Sequence, residues 1–231
     1  MVKLIDTLIN KQDNFEIVRD QIAGILVAEQ QNQYNLAVAE PVPDPNDWVW
    51  NTYLERSRPW EALVESVHDD GIIFDETPLV NIWFDTGSFD MSKGGTVERQ
   101  AMQASYNIDV YAAAVSADND AGGYDTGDEL ASLRVQRVLK FCRNILMAGI
   151  NTYLQLKGTV WKRWPSAITM FQPQQNDLPV QHVVAGRFVL NVSFNEFSPQ
   201  VTPETLESVF TEVKRQSDGK VLLELEYDTT P

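Results

Sequence analysis

Cysteine and histidine are scarce in this chain of 231 residues, which contains one cysteine and two histidines. The single cysteine, Cys142, excludes a disulfide within the chain, and its place on an apolar helical pattern indicates a core residue rather than a reactive thiol. The histidines, His68 and His182, are far apart in sequence and have no cysteine beside them, unlike the ligands of a zinc site. The scarcity of both residue types gives no support to zinc or thiol chemistry.

Sequence motifs of nucleotide and acyl-transfer enzymes are also missing. The chain has no Gly-x-Ser-x-Gly element, no phosphate-binding loop ending in Gly-Lys-Ser/Thr and no Gly-x-Gly-x-x-Gly after a strand. Adjacent acids such as Asp69 and Asp70 are typical of a solvated loop in so acidic a chain. We therefore predict a protein that is not an enzyme and that has no cofactor.

Long hydrophobic runs are absent as well. No stretch approaches the length of a membrane span, and the first residues, Met1 to Asp6, meet polar residues too soon for a secretion signal. We expect a protein that does not bind membranes and that folds in a reducing cytoplasm.

Basic residues are few, since 18 lysines and arginines stand against 33 aspartates and glutamates, for a net charge of -15. Binding to duplex DNA needs basic side chains that displace counterions, so we expect no sequence-specific binding to nucleic acid. An acidic surface would instead let DNA pass close by without adhering.

The two signs of charge occupy different parts of the sequence. Between Glu40 and Glu129 there are nineteen acids and four bases, whereas residues 131–176 contain seven bases and no acid. If these segments form separate surfaces of one body, the acidic surface of one copy can face the basic surface of the next. Such unlike, complementary surfaces are what head-to-tail contacts in a ring require. The leading hypothesis is therefore self-assembly.

The N-terminal part of the chain predicts a helix followed by an insertion. Asp13 and Glu16 form a helix-start pattern, and apolar residues then recur at helical spacing, which predicts an amphipathic helix over about 14–33. From about 36 to 76 the pattern gives way to prolines, three tryptophans and a cluster of acids. We interpret 36–76 as a loop-rich insertion in which exposed tryptophans dock on another surface.

The centre of the chain predicts a long antiparallel hairpin. Leu79 to Phe84 is typical of a strand, and Gln103 to Ala113 alternates between apolar and polar residues. The polar, glycine-containing tip at about 85–96 is long enough to project and reach a neighbour. We expect three residues of this tip to lie at a subunit interface: Phe89, Met91 and Lys93.

The clearest helix begins near Asp128. Its apolar residues repeat every three or four positions from Ala131 to Gly149, which predicts a continuous stripe packed against a sheet. The basic residues fall mainly off that stripe and would form an exposed ridge. We predict that three of them lie at the interface with the next copy: Arg134, Arg137 and Arg143.

Further strands are predicted in the last third of the chain. They cover 167–171 and 183–197, and a terminal hairpin would pair 209–215 with 220–227. The predicted fold class is α+β, with a single antiparallel sheet flanked by helices. We expect one domain over 1–231.

One stretch partly matches a calcium-binding loop. Residues 118–129 agree with that pattern at positions one, three, six and twelve, which would make Asp118, Asp120 and Glu129 the metal ligands. Positions five and eight depart from it. The interpretation we favour is a glycine-rich loop in which one of three residues caps the following helix: Asp125, Thr126 or Asp128.

Several segments resemble neck proteins of long-tailed bacteriophages, and most closely the tail terminator type. The segments are the helix start at 13–26, the strand at 104–112, the helix near 133–147 and the closing residues at 206–209 and 218–224. This resemblance implies a small α+β subunit that forms a hexameric ring on the last ring of the tail tube. The ring would stop tube growth, face the head connector and leave a channel for DNA, with acids lining that channel.

The resemblance also implies the location and the partners. We expect a structural virion protein of the neck, assembled in the host cytoplasm, that binds further copies of itself, the tail tube protein and a head-tail connector or neck protein. The 36–76 insertion would add a grip on a sheath or collar protein. Two alternatives stay open: another neck or tube ring protein, such as a head-tail joining or tail tube protein, and a calcium-binding or hydrolytic cytoplasmic domain.

Overall fold

The computed structural model describes residues 12–40, 44–68, 71–74, 76–90, 99–118, 122–173, 183–197, 208–214 and 221–228, together with Leu4 and Ile9. The chain divides into two compact units. One runs from Asn10 to Ser198, and the other combines Met1–Ile9 with Pro199–Pro231. The single domain expected over 1–231 stays a prediction.

The described residues contain two helices and eleven strands. In chain order they are α1 (Asn14–Ala39), β1 (Asn51–Leu54), β2 (Val64–His68), β3 (Gly71–Phe74), β4 (Leu79–Phe89), β5 (Arg99–Ala113), β6 (Ala117–Asp118), β7 (Tyr124–Asp125), α2 (Gly127–Met147), β8 (Val160–Phe171), β9 (Val183–Phe197), β10 (Ser208–Lys214) and β11 (Val221–Asp228). Short 3-10 helices cover Pro45–Trp48, Pro59–Leu63 and Gly149–Asn151.

A five-stranded sheet in the order β1-β4-β5-β9-β8 is the centre of the larger unit. Its neighbouring strands are antiparallel except β1, which runs parallel to β4 from Asn51↔Leu79 to Leu54↔Ile82. The α+β class is confirmed, but the sheet is mixed rather than purely antiparallel. The reason is the connection 55–78, which returns the chain to the end of the sheet where β1 began, so that β4 starts in the same direction.

Strands β4 and β5 pair antiparallel from Leu79↔Tyr111 to Phe89↔Met102. Residues 91–98, between them, lie outside the described residues, so the projection of this tip stays a prediction. In the smaller unit, β10 and β11 pair from Ser208↔Asp228 to Lys214↔Val221, as the predicted terminal hairpin requires.

Helices α1 and α2 cover one face of the sheet. The stripe predicted on α2 is buried from Ala131 to Ile145, whereas Gly149 lies beyond the end of the helix and is exposed. Four alternate residues of β9 are buried as well: Phe188, Leu190, Val192 and Phe194. A side chain at Gly186 of β9 would put its Cβ 2.5 Å from Leu139 Cδ1 and 2.9 Å from Val135 Cγ1. Helix α2 therefore lies directly on the β9 backbone at Gly186.

Helix α1 continues to Ala39, beyond the predicted end near residue 33. The stretch 29–35 of this helix is polar, and side-chain pairs three or four residues apart support it, as expected on a helix surface. Glu29 accepts hydrogen bonds from Asn32 at 3.0 Å and Gln33 at 2.6 Å, and Gln31 donates to Asn35 at 3.1 Å. Apolar periodicity therefore underestimated this helix, because the polar stretch 29–35 interrupts the pattern before Ala37, which is buried again.

The first turn of α1 is tied to β9. Two free amides there, those of Asn14 and Phe15, donate to the Glu196 carboxylate at 3.0 and 3.2 Å. Carboxylates are favourable at helix N-termini because they accept hydrogen bonds from these amides and because negative charge interacts favourably with the positive end of the helix dipole. Tyr106 of β5 donates its hydroxyl to the Phe15 carbonyl at 2.9 Å, which fixes the same turn from below.

The opposite face of the sheet carries a smaller core at one end. The 3-10 helix Pro59–Leu63 packs there, with Leu63 fully buried against Leu79 and Tyr111. The rings of Trp60 and Tyr111 lie 5.8 Å apart. Part of the 36–76 segment thus packs on the sheet of its own chain.

Candidate subunit interface

Two arginines of the predicted ridge are engaged within the protomer. Arg134 donates from Nη2 to Glu76 Oε2 at 2.7 Å and from Nη1 to the Ala113 carbonyl at 3.1 Å. Arg137 pairs with Asp47 through Nη1 and Oδ1. Both acids belong to the acidic segment 40–129, so the expectation of a basic ridge separate from the acidic surface is wrong at these two positions. Whether Arg134 and Arg137 also reach a neighbouring copy stays a prediction.

Aromatic stacking fastens the same part of the insertion to α2. Trp48 stacks on Phe141 of α2, with ring centroids 3.9 Å apart and planes 15° apart. Trp50 is buried in the main core and lies 6.3 Å from Trp48. These two tryptophans therefore pack within their own chain instead of being free to dock on a separate protein.

A recess of about 350 Å³ lies between α2 and the segments 46–49 and 76–78. Both ion pairs line it, and Val49, Pro78 and Val138 complete its wall. Because each guanidinium has a carboxylate beside it, the formal charges around the recess cancel. The recess offers no excess charge of either sign to a ligand.

The remaining basic residues of α2 are exposed. Lys140 and Arg143 follow Arg137 along the helix, and neither has an ion-pair partner among the described residues. The Arg143 guanidinium contacts only the neighbouring Asn144 side chain, at 3.2 Å, among the hydrogen bonds of the described side chains. Of the three predicted interface arginines, Arg143 thus keeps its charge available on the surface.

The predicted interface residues of the hairpin tip are only partly described. Phe89 ends β4 and is 52% exposed, which is high for a large apolar side chain. Met91 and Lys93 lie outside the described residues. Phe89 therefore meets the requirement of accessibility for a contact with a neighbour, and its role there stays a prediction.

The sheet ends on an uncovered strand. On its outer side, β8 pairs with no other strand in the described part of the chain, and all five residues of 166–170 are exposed. Two of them are apolar: Ile168 is 52% exposed and Met170 is 42% exposed. No charged residue occurs from Trp164 to Pro173. Natural edge strands usually carry charges, prolines or bulges that prevent pairing with other chains. Strand β8 has Pro165 and a register shift between Pro165 and Ala167, but no charge protects the residues that follow.

A second uncovered run lies near the other edge of the sheet. Strand β1 covers β4 only as far as Ile82, and residues 85–89 of β4 are all exposed. Glu55 ends this cover, because its φ of 52° turns the chain away after its amide has donated to the Ile82 carbonyl at 3.0 Å. Its carboxylate accepts the Phe84 amide at 3.0 Å. The outer side of β4 beyond Phe84 has no strand beside it among the described residues.

The sheet also holds a buried ion pair that the sequence analysis missed. Asp109 of β5 is 2% exposed and accepts two hydrogen bonds from Arg187 of β9, together with one from Trp83 Nε1 at 2.9 Å. The Arg187 guanidinium lies 4.9 Å from the Trp83 ring and 5.4 Å from the Phe171 ring. The hydrogen bonds to Asp109 raise the pKa of Arg187. This cluster joins four strands and stabilises the sheet on which both uncovered runs lie.

The metal and thiol candidates can be placed as well. Asp118 ends β6 and Glu129 lies in the first turn of α2, while Asp120 is outside the described residues. Among described side chains, no group of three or more histidine, cysteine, aspartate or glutamate residues is arranged to hold a metal. The calcium hypothesis stays a prediction. Cys142 is fully buried, which confirms its assignment to the core, and this burial raises the pKa of its thiol to about 12.

The start of α2 follows the favoured interpretation in part. Thr126 is the N-cap residue, but its side chain makes no capping hydrogen bond. The Ser116 hydroxyl accepts the Gly127 amide instead, at 2.9 Å. Asp128 and Glu129 occupy the first turn, where negative charge favours the helix dipole.

Comparisons with known proteins give no relative: no protein-family model matches the chain, and none of the curated proteins matches it significantly. Within the described residues, neither helix combines the length and the apolar character that crossing a membrane requires.

Proposed function

We propose that this protein is a structural ring subunit of the neck of a long-tailed phage, of the tail terminator type. Its function would be to associate with further copies of itself around a channel, to close the end of the tail tube and to present the other side of the ring to a head connector. In this proposal the chain has no catalytic residues.

The observation that carries the proposal is the uncovered strand β8. Backbone amides and carbonyls are strong hydrogen-bonding groups, and a long row of them at a sheet edge is a template for another strand. Residues 166–170 are exposed and uncharged and add two exposed apolar side chains, Ile168 and Met170. A strand of this composition is suited to association with another protein chain.

Charge supports contacts between identical copies. Lys140 and Arg143 are exposed basic residues of α2 with no ion-pair partner among the described residues. The chain as a whole has a net charge of -15, so acidic surface is abundant on every copy. Contacts between the basic end of α2 and an acidic surface of the next copy are heterologous, and heterologous contacts close into rings when the rotation permits.

The segment 36–76 has a different role in this proposal from the one its composition indicated. Trp48 and Trp50 pack within the chain, and Asp47 and Glu76 hold α2. These contacts indicate that the segment stabilises the fold of its own subunit. Binding to a sheath or collar protein would have to use other residues of 36–76.

Electron microscopy of the purified full-length protein tests the proposal. We expect single closed rings that do not polymerise into stacks. Long stacks of rings would instead indicate a tail tube protein, the alternative from the same class. A field of isolated monomers at every concentration would contradict the proposal.

A further inference from the structure

We propose that β8 of one copy pairs with the outer side of β4 of the next copy, so that one sheet continues from subunit to subunit. This inference rests on the proposed function and names the surfaces that join the copies. The two strands are the ones whose outer sides carry the fully exposed runs 166–170 and 85–89 among the described residues.

The directions of the strands agree with such pairing. Strands β4, β5, β9 and β8 alternate in direction because each neighbouring pair is antiparallel. When copies are related by a rotation in a ring, β8 of one copy therefore runs antiparallel to β4 of the next. Antiparallel pairing is slightly the more stable arrangement per residue.

The side chains agree as well. If the centres of the two runs face each other, Ile168 lies opposite Gly87, Ala167 opposite Ser88 and Thr169 opposite Thr86. Through the register of the sheet, Ile168 is on the face of Phe188 and Ile108, and Gly87 is on the face of Ala104. Both belong to the face that the helices cover, so the pleats would match. Met102 and Phe84 already lie over Gly87 on this face, so Ile168 would pack beside these two apolar side chains.

The offset between the two runs is compatible with closure. Following the paired residues from β4 across β5 and β9 to β8, Gly87 corresponds to Arg163 and Ile82 corresponds to Ile168. Joining Ile168 to Gly87 shifts each copy by four positions of β5, from Ile108 to Ala104, because β4 and β8 each contain one bulged residue in this stretch. Four positions are about 14 Å along the strands, over a width of about 19 Å for four strands. The strands would then tilt by about 35° from the ring axis, within the range of closed sheets.

Engineered disulfides test this pairing in the full-length chain, since Cys142 is buried and gives no background. We expect the double variant Ser88→Cys/Ala167→Cys to form a ladder of covalent oligomers on mild oxidation, because opposed residues of an antiparallel pair have Cα atoms close enough for a disulfide. Thr86→Cys/Thr169→Cys tests the same register two positions further along, on the same face of the sheet. Each cysteine alone should give no ladder.

The matched control is Ser88→Cys/Gln136→Cys, which keeps one cysteine in the β4 run and moves the other to an exposed position of α2. This variant should stay uncrosslinked. Dimers from Ala167→Cys alone would show two β8 strands paired with each other and would overturn the inference.

Failure of this inference can be told from failure of the proposed function. If the double variants form oligomers by mass but neither crosslinks above the control, the strand pairing is wrong while self-assembly stands. If no oligomer forms in the variants or in the unmodified protein, both are wrong.

Discussion

Arg187 and Asp109 form a two-point ion pair, with Nε 2.6 Å from Oδ1 and Nη2 2.8 Å from Oδ2. The pair is unequally exposed, because the Arg187 side chain is 32% exposed and that of Asp109 only 2%. Removing the arginine would therefore leave a buried carboxylate without its cation, although Trp83 would still donate to it. Removing one partner therefore lowers the free energy of unfolding by more than the intact ion pair contributes to it.

Replacing Arg187 by methionine should lower the free energy of unfolding by about 3 kcal/mol, which is typical for an uncompensated buried charge. The double variant Arg187→Met/Asp109→Asn should recover part of that loss, because the buried charge is gone. Urea denaturation followed by tryptophan fluorescence measures both. A free energy of unfolding of Arg187→Met within about 0.5 kcal/mol of that of the unmodified protein would contradict the role given to this pair.

Two glycines should respond in opposite ways to alanine. Gly186→Ala should destabilise the protein by about 1–3 kcal/mol, since the new Cβ would overlap Leu139 and Val135 of α2. Gly24→Ala, on an exposed position of α1 with nothing within 4 Å of the new Cβ, should stabilise it by up to about 1 kcal/mol. Thermal or urea unfolding compares them directly. Equal effects at the two sites would contradict the packing of α2 on β9.

The Glu196 carboxyl should give a measurable pH dependence. Burial raises its pKa above the ordinary value of 4.5, although the amides of Asn14 and Phe197 act in the opposite direction. A carboxyl with a raised pKa in the folded state stabilises the fold fully below its unfolded pKa and loses that contribution as pH rises through the folded value.

The free energy by which the unmodified protein is more stable than Glu196→Gln should therefore decrease as the pH rises from about 4 to just above the ordinary pKa of glutamate. The glutamine does not titrate, so the difference in unfolding free energy between the two proteins isolates this one group. Urea unfolding at a series of pH values measures it. An advantage that grows with pH would mean that the amide hydrogen bonds outweigh burial.

Charge reversal on α2 should separate contacts between copies from contacts within one. Arg143→Glu should weaken self-association more at low salt than at high salt, because exposed charges are screened. Lys157→Glu changes the charge equally at another exposed position and is the control. Light scattering over a salt series compares them, and equal effects would remove Arg143 from the interface.

The sequence predicted those parts of the fold that depend on local periodicity. The apolar stripe of α2 and the strand β9 at 183–197 were recognised because apolar side chains repeat at the period of their element. Strand β8 was predicted only from residue 167, and it begins at Val160. Its register shifts twice, once beside Pro165, and each shift interrupts the alternation that identifies a strand.

The interactions that join distant parts of the chain could not be predicted in this way. Arg134 pairs with Glu76 and Arg137 with Asp47, partners that lie 58 and 90 residues away. The segregation of charge along the sequence suggested separate surfaces, but folding brings the insertion beside α2. Asp109 looked like an outward residue of an alternating strand, and only the position of Arg187 on β9 makes it a buried ion pair.

The central claim is that copies of this chain associate through the uncovered strand of the sheet, and the mass of the protein in solution tests it most directly. Sedimentation equilibrium of the unmodified protein should give a multiple of the 26.1 kDa of one chain, six times that value for the proposed ring. Ile168→Lys, which places a charge in the exposed run, should shift the mass toward one chain. A single-chain mass for the unmodified protein at all concentrations, or an unchanged oligomer in Ile168→Lys, would contradict the account.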